Sequence, residues 1–167
     1  TQMGPMVSAR QRETVERYIA IGKDEGARLV TGGGRPAGFD RGYFVEPTVF
    51  AGVDAGMRIA QEEIFGPVLA VLPYETEDEA VAIANDVRFG LGSGVWTGDI
   101  GRALRMSERI QAGTVWVNTY RAVSYMSPFG GYKDSGLGRE SGIDAIHEYL
   151  QVKSTWINTG AATGNPF

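Results

Sequence analysis

The apolar positions of the chain follow a helical period first and a strand period soon after. Ser8 and Gln11 form the S-x-x-Q pattern of a capping box, and apolar residues then recur every three or four positions. This pattern predicts a helix that begins after Ser8 and ends before Gly26. A short β-prone run follows at 27–31, ahead of a stretch rich in glycine.

Two further segments have strand character. Residues 43–50 alternate between apolar and polar side chains, but Pro47 lacks an amide hydrogen, which predicts an edge strand or an interrupted one. Residues 67–74 form an almost unbroken apolar run, which is typical of a strand buried on both faces.

The second half of the chain alternates helices with strands. Helices are predicted to begin at Thr76, which forms a capping box with Glu79, at Asp99, and at Ser141, the last running to Leu150. The helix after Asp99 carries its apolar residues on one side: Ile100, Ala103, Leu104 and Ile110. Strands are predicted at 91–97, 113–118 and 152–158. This order predicts an α/β fold, a mainly parallel sheet with flanking helices.

Composition narrows the range of functions. The 167 residues carry 16 Lys and Arg against 20 Asp and Glu, a net charge of −4, with one His and no Cys. Because no apolar run approaches roughly 18 residues and no basic patch occurs, neither a membrane span nor nucleic-acid binding is expected. The lack of cysteine excludes a disulfide, a cysteine metal site and a cysteine nucleophile within these residues.

The loop at 119–139 is the first candidate for chemistry. It has no clear period, it follows a strong strand, and it contains Tyr120, Tyr125, Phe129 and Tyr132. Ligands of open α/β sheets collect beyond the carboxyl ends of strands, which favours a binding role. An ordered loop that packs its aromatic rings on the core is an equally good explanation of the same residues.

The second candidate is the short segment 62–67. A carboxylate of Glu62 or Glu63 could accept two hydrogen bonds from a ribose diol, and the Phe65 ring could pack on a flat heterocycle. Spacing alone favours the simpler interpretation, in which the two acids are solvated and Phe65 belongs to the core. Gln11 has a similar ambiguity, since it could be only the partner of Ser8 in the capping box.

Two lone side chains give weaker signals. His147 has no cysteine or second histidine to build a metal site or a triad, so a structural histidine is expected, and no metal site is predicted. Lys133 could act as a nucleophile or contact a phosphate, but a single loop lysine is usually solvated.

Several longer motifs nevertheless resemble those of one protein family. The motifs are QEEIFGPV at 61–68, NDVRFGL at 85–91, AGTVWVNTY at 112–120, SPFGGYKDSGLGRE at 127–140 and EYLQVK at 148–153. Together they resemble the C-terminal part of the NAD(P)-dependent aldehyde dehydrogenase superfamily, and the resemblance covers roughly residues 3–158. The family reaction oxidises an aldehyde to an acid with NAD or NADP.

The resemblance implies roles for three residues at the cofactor. Glu63 matches the family glutamate that binds the nicotinamide ribose, and Phe65 matches the phenylalanine beside the nicotinamide. Glu62 is expected to be structural. Gln11 resembles the family glutamine that approaches the cofactor ribose, although a lysine often found three residues later is Thr14 here.

The resemblance also implies a substrate tunnel within 119–139. Phe129 matches a tunnel aromatic residue, and Val123 takes a position that often carries a larger side chain. Tyr120 and Tyr125 are expected at the same pocket.

The family's cysteine nucleophile, general base and main nucleotide-binding domain all lie upstream of the matched region. Residues 1–150 therefore resemble the C-terminal part of the catalytic domain, and 151–167 an association strand with a loose tail. The chain begins at Thr1 without Met or a leader, so we expect a cytoplasmic fragment, inactive alone, that forms a homo-oligomer through 152–158. The alternative is a stand-alone, non-catalytic binding or assembly module. An unrelated enzyme built on Lys133 or His147 has little support.

Overall fold

The computed structural model describes residues 3–160 and 164, and in that part of the chain four α-helices alternate with seven short strands. The elements are α1 Ala9–Asp24, β1 Arg28–Thr31, β2 Thr48–Ala51, α2 Arg58–Gln61, β3 Val68–Val71, α3 Glu77–Asn85, β4 Phe89–Gly90, β5 Gly92–Val95, α4 Ile100–Arg109, β6 Thr114–Val117 and β7 Tyr132–Lys133, followed by a 3-10 helix at Ile143–Tyr149.

Three predicted helix beginnings are confirmed by side-chain caps. Ser8 Oγ accepts a hydrogen bond from the Gln11 amide at 3.2 Å, and Thr76 Oγ1 accepts one from the Glu79 amide at 3.2 Å. Asp99 Oδ1 accepts from the two amides at 101 and 102, at 2.8 and 3.2 Å. Each cap satisfies amides that a helix leaves unpaired in its first turn, which is why the sequence alone locates these ends.

The α/β class with flanking helices is confirmed, but the strands form three small sheets. The first has the order β1-β2-β3, in which β2 pairs antiparallel with β1 and parallel with β3. The second pairs β4 with β7 antiparallel, and the third pairs β5 with β6 in parallel register, from Gly92 opposite Thr114 to Val95 opposite Val117. The segment 62–67 therefore leads into β3 of one parallel pair, and the loop 119–139 follows β6 of the other.

The main hydrophobic core lies between α1, α2 and the first sheet. Val15 and Ile19 of α1 pack with Phe50 of β2, Ile59 of α2 and Ile64. Phe50 and Val15 are completely buried, and each such side chain contributes about 1.5–3 kcal/mol by leaving water. This core fixes α1 against the segment 62–67.

Of the two alternatives for 43–50, the edge strand is wrong, whereas the interruption at Pro47 is confirmed. Only Thr48–Ala51 forms a strand, and it is the central strand of its sheet. Pro47 lies just before the ladder, where its missing amide removes no ladder hydrogen bond, and the first amide of the strand, that of Thr48, already donates to the Pro67 carbonyl at 2.8 Å.

The expectation that 67–74 is buried on both faces is also wrong for this chain. Val68 and Ala70 pack on the core, whereas Leu69 and Val71 are 58% and 43% exposed. The physical reason is that β3 lies at the outer edge of its sheet, with helices packed on one face only.

The apolar side predicted for helix α4 is also only partly buried. Ala103 is buried in the helix, and Ile110 is buried just after it, but Ile100 and Leu104 are exposed. No helix of the described residues is long and apolar enough to cross a membrane.

The predicted end of the chain differs most. The helix expected over 141–150 is a 3-10 helix, and no strand forms over 152–158 in the part of the chain that the structure describes. Val152 and Trp156 are 100% and 95% exposed there. A strand exists only within a ladder, and this segment forms none within its own chain. Most of the tail expected at 159–167 lies outside the described residues.

Candidate functional site

The turn at 62–67, between α2 and β3, presents two of the predicted site residues. Ile64 is buried in the core and anchors the turn, while the Glu63 side chain is exposed and the Phe65 side chain is 74% exposed. Phe65 has a φ of 54°, a left-handed conformation that costs a residue with a side chain about 1–2 kcal/mol. Backbone strain of this kind concentrates at functional sites, and here it turns an apolar ring outwards.

Two contacts from α1 hold this turn. Gln11 Nε2, on α1, donates to the carbonyl oxygens of Ile64 at 3.2 Å and Phe65 at 3.0 Å. Gly66 lies directly against Val15 of α1, so that a Cβ on Gly66 would overlap Val15 Cγ2. The structure therefore brings Gln11, Glu63 and Phe65 to one turn.

Glu62 is engaged within the protein rather than turned to a ligand. Arg58 donates to both Glu62 carboxylate oxygens at 2.9 Å, and the Tyr18 hydroxyl donates to one of them at 2.6 Å. The hydrogen bonds from Arg58, followed by that from Tyr18, lower the pKa of Glu62 to about 2. These contacts agree with the expectation that Glu62 is structural, because they join α1 and α2 to the start of the turn.

This cluster predicts a dependence of stability on pH. The pKa of Glu62 is lower in the folded chain than in the unfolded chain, so its ionised form stabilises the fold above the unfolded pKa. That contribution is lost as the pH falls from about 5 towards about 2. We expect the difference in free energy of unfolding between the native chain and E62Q to shrink over this range in urea titrations.

The control for this prediction is R58M, which removes the partner but keeps the carboxylate. R58M should lose the same acid-sensitive contribution, because the bidentate ion pair is its main cause. A difference between native chain and E62Q that stays constant from neutral to acid pH would contradict the assignment.

Three of the four predicted substrate residues line one concavity. Val123, Tyr125 and Phe129 surround a space of about 340 Å³. Tyr125 is exposed, so its ring does not pack on the core, contrary to the interpretation of this loop as a purely structural one. The concavity thus combines apolar and aromatic side chains with polar ones, among them Ser124, Ser127 and Glu140, as in many ligand sites.

Tyr120 is placed elsewhere. Its ring meets the Trp116 ring edge-on, with the two centroids 5.5 Å apart, and the Arg121 guanidinium lies 5.3 Å from its centroid. Tyr120 is not among the residues that line the concavity of Phe129. The structure therefore separates it from the other three.

The loop that carries Phe129 is held by its own backbone. Phe129 and Glu140 exchange two backbone hydrogen bonds, each of 2.7 Å, and Arg139 Nη1 donates to two carbonyls of the loop. Gly113, just before β6, lies so close to Gly130 that a Cβ there would overlap the Gly130 carbonyl oxygen. The start of β6 therefore sets the position of the loop.

Lys133 has a positioning role. Its Nζ donates to the carbonyl oxygens of Asn85 at 2.7 Å and Val87 at 2.9 Å, at the carboxyl end of α3. A cation is favoured there by the helix dipole, and two of the three ammonium donors bind these carbonyls. His147 is exposed in the 3-10 helix, and no cluster that could hold a metal ion occurs among the described residues.

Sequence reasoning missed Asn118, which joins the ends of β5 and β6. Its side-chain amide donates to the Thr97 carbonyl and accepts from the Thr97 amide, both at 2.9 Å. Asn118 also has a φ of 53°, which starts the loop at 119–139 in a new direction. An asparagine directly after a strand was the available signal, since asparagine tolerates this conformation and imitates a peptide group.

Glu63 and Phe129 line separate concavities. Glu63 shares a space of about 450 Å³ with Val87, Phe89 and Leu91, and the concavity of Phe129 is a different one. Phe65 and Gln11 line neither space, and the described residues do not by themselves join the two.

Known proteins resemble the chain in both sequence and structure. The family model described as "Aldehyde dehydrogenase family" matches residues 1–155. The chain is 56% identical over 158 residues to DhaS of Bacillus subtilis, and 54% identical over 162 residues to the betaine aldehyde dehydrogenase of Brucella melitensis. These matches cover 95% and 96% of this chain, but 32% and 33% of the two relatives.

A solved structure gives the same result. The aldehyde dehydrogenase of Mycobacterium tuberculosis, crystallised with NAD⁺, has a TM-score of 0.89 and 53% identity over 96% of this chain and 33% of that one. The chain thus spans about a third of the length of the curated relatives that it matches.

Proposed function

Because the chain belongs to the aldehyde dehydrogenase family, we propose that it supplies the nicotinamide-ribose and substrate-tunnel contacts of an enzyme that oxidises an aldehyde to a carboxylic acid. The observation that carries the proposal is the turn at 62–67, in which the Glu63 side chain is exposed and the Phe65 side chain, two residues later, is 74% exposed.

The residues of this turn fit a nucleotide cofactor. The two oxygens of the Glu63 carboxylate can accept hydrogen bonds from the adjacent hydroxyls of a ribose. The exposed Phe65 ring offers a flat apolar face on which a nicotinamide ring can pack. NAD(P), when bound, takes up the hydride that leaves the aldehyde carbon. The task of the turn is to hold the acceptor ring in one orientation.

The concavity of Val123, Tyr125 and Phe129 fits the substrate side. The aromatic and aliphatic part of its lining would contact the carbon chain of an aldehyde. The small Val123 side chain leaves room for a wider substrate than a large residue would at this position.

We propose that the 167 residues alone are inactive. The resemblance implies attack on the aldehyde by a cysteine thiolate, and this chain has no cysteine. The purified chain, mixed with NAD⁺ or NADP⁺ and an aldehyde such as betaine aldehyde, should form no NADH or NADPH. Aldehyde-dependent formation of either would overturn this part of the proposal.

Cofactor binding by the chain is the direct test of the turn. Titration with NAD⁺, followed by NMR, should shift the Phe65 ring signals at millimolar cofactor. F65A should weaken binding about fivefold to tenfold, because an aromatic contact contributes about 1 kcal/mol. E63Q should weaken it about tenfold or more, because a charge-assisted hydrogen bond contributes about 1.5–3 kcal/mol.

The control is F39A, which removes another exposed phenyl ring far along the chain from the turn. F39A should bind NAD⁺ as the native chain does. If NAD⁺ and NADP⁺ both leave the Phe65 signals unchanged, the proposed cofactor contact is wrong.

We also propose that 152–158 pairs with a second copy of the chain. The segment is exposed and apolar at Val152, Trp156 and Ile157, which supports pairing with a strand edge of another molecule. Light scattering should show an apparent mass that rises with concentration, and less so for W156S. V7S, at another exposed apolar residue, is the control. A monomer at high concentration would contradict the proposal.

A further inference from the structure

We propose that Gln11 is a positioning residue, which fixes the conformation of Phe65 through its side-chain amide. The effect of this role on ligand binding rests on the proposed function. The fixing of the turn itself is a property of the free chain and can be tested without any ligand.

The geometry of the two hydrogen bonds carries the inference. Gln11 Nε2 donates to the Ile64 carbonyl at 3.2 Å and to the Phe65 carbonyl at 3.0 Å. The first carbonyl belongs to the peptide plane before the Phe65 Cα, and the second belongs to the plane after it. One nitrogen therefore holds both planes whose rotations define φ and ψ of Phe65.

This restraint acts where the backbone needs one. Phe65 has a φ of 54°, which a residue with a side chain rarely adopts unless its surroundings impose it. Without the two hydrogen bonds, relaxation to negative φ would redirect the Phe65 ring and move the neighbouring Glu63. Gln11 thus controls two side chains that it does not itself touch.

The base of the Gln11 side chain is fixed as well. Its backbone amide donates to Ser8 Oγ at 3.2 Å in the first turn of α1, and α1 is anchored by the buried Val15. The capping box thus uses the backbone amide of Gln11, while its side chain reaches across to residues more than 50 positions away.

The same geometry limits what Gln11 can do for a ligand. Both hydrogens of its Nε2 have carbonyl partners, so only its side-chain oxygen remains to meet a ribose hydroxyl. We infer that its main effect on a cofactor is exerted through the turn.

The experiment compares Q11M with Q11K in the 167-residue chain. Methionine keeps the length of glutamine without donors, whereas lysine keeps donors without the amide oxygen. A positive φ brings the amide and Hα protons of a residue close together, which gives a strong NOE between them. We expect this NOE of Phe65 to be strong in the native chain and Q11K, and to fall severalfold in Q11M.

Two controls separate positioning from loss of fold. Asn118 also has a positive φ, at 53°, so its own NOE reports in the same spectrum whether the rest of the chain is folded. R10M alters an exposed side chain of the same helix and should change neither NOE. If Q11M loses both NOEs because it unfolds, Q11A is used in its place.

The outcomes are distinct. The proposal is supported if Q11M or Q11A loses the Phe65 NOE but keeps the Asn118 NOE, and if Q11K keeps both NOEs. An unchanged Phe65 NOE in a folded Q11M overturns it, and weaker NAD⁺ binding by that variant would then assign Gln11 to direct ligand contact. If NAD⁺ fails to bind even the native chain, the proposed function falls, while the NOE still decides the role of Gln11.

Discussion

Replacing Gly113 with alanine is expected to lower the free energy of unfolding by about 3 kcal/mol, at the upper end of the usual cost of overpacking. A Cβ at this position would overlap the carbonyl oxygen and carbon of Gly130, and it would lie 3.3 Å from the Gly131 Cα. These are backbone atoms, which cannot swing aside as a flexible side chain can. The loop that carries Phe129 would therefore have to move away from β6.

Urea denaturation of G113A, with G98A as its matched control, measures this effect. A Cβ at Gly98 would meet nothing within 4 Å, so G98A should change stability by no more than about 0.5 kcal/mol. The loop should also lose its register, visible as loss of protection of the Phe129 and Glu140 amides in hydrogen exchange. If G113A unfolds at the same urea concentration as G98A, the close approach of the loop to β6 is not maintained in solution.

The second large effect is expected for G66A, at about 2 kcal/mol. A Cβ on Gly66 would overlap a methyl group of Val15, which is completely buried and surrounded by the core. Relief of the overlap would push the turn away from α1, so the Gln11 hydrogen bonds and the direction of Phe65 should change together. In G66A, NAD⁺ binding should weaken and the free energy of unfolding should fall.

A double-mutant cycle tests this cause. V15A removes the methyl groups that Gly66 faces and leaves a cavity of its own in the core. If the overlap is responsible, G66A should cost clearly less in the V15A background than in the native chain. Strictly additive costs would show that G66A acts by another route.

Helix beginnings could be predicted from the sequence because their cause is local. Ser8, Thr76 and Asp99 each accept from an amide two or three residues away, and such pairs are visible in the sequence. The partition into three sheets and the exposure of Leu69 and Val71 could not be predicted, because they depend on which distant elements cover which face.

The candidate site also combines features that the sequence predicts with features that it does not predict. Glu63, Phe65 and Gln11 were all selected by the family resemblance, because residue types and spacing alone favoured solvated acids and a core phenylalanine at 62–67. That Gln11 holds the carbonyls beside Phe65 could not be foreseen, because it depends on how α1 packs against a turn more than 50 residues away. The prediction of a strand at 152–158 failed for a related reason. Apolar residues in a segment do not show whether another strand is available to pair with it.

The uneven distribution of the hydrophobic core along the chain affects how the chain unfolds. The cluster of eight buried apolar residues extends from Val15 to Ile64, whereas the later part of the described chain buries four apolar residues outside it, Val81, Val95, Ala103 and Ile110. Cooperative units with few buried apolar contacts open at lower free energy. On warming, the half with Phe129 is therefore expected to unfold first, while the half that presents Phe65 is still folded.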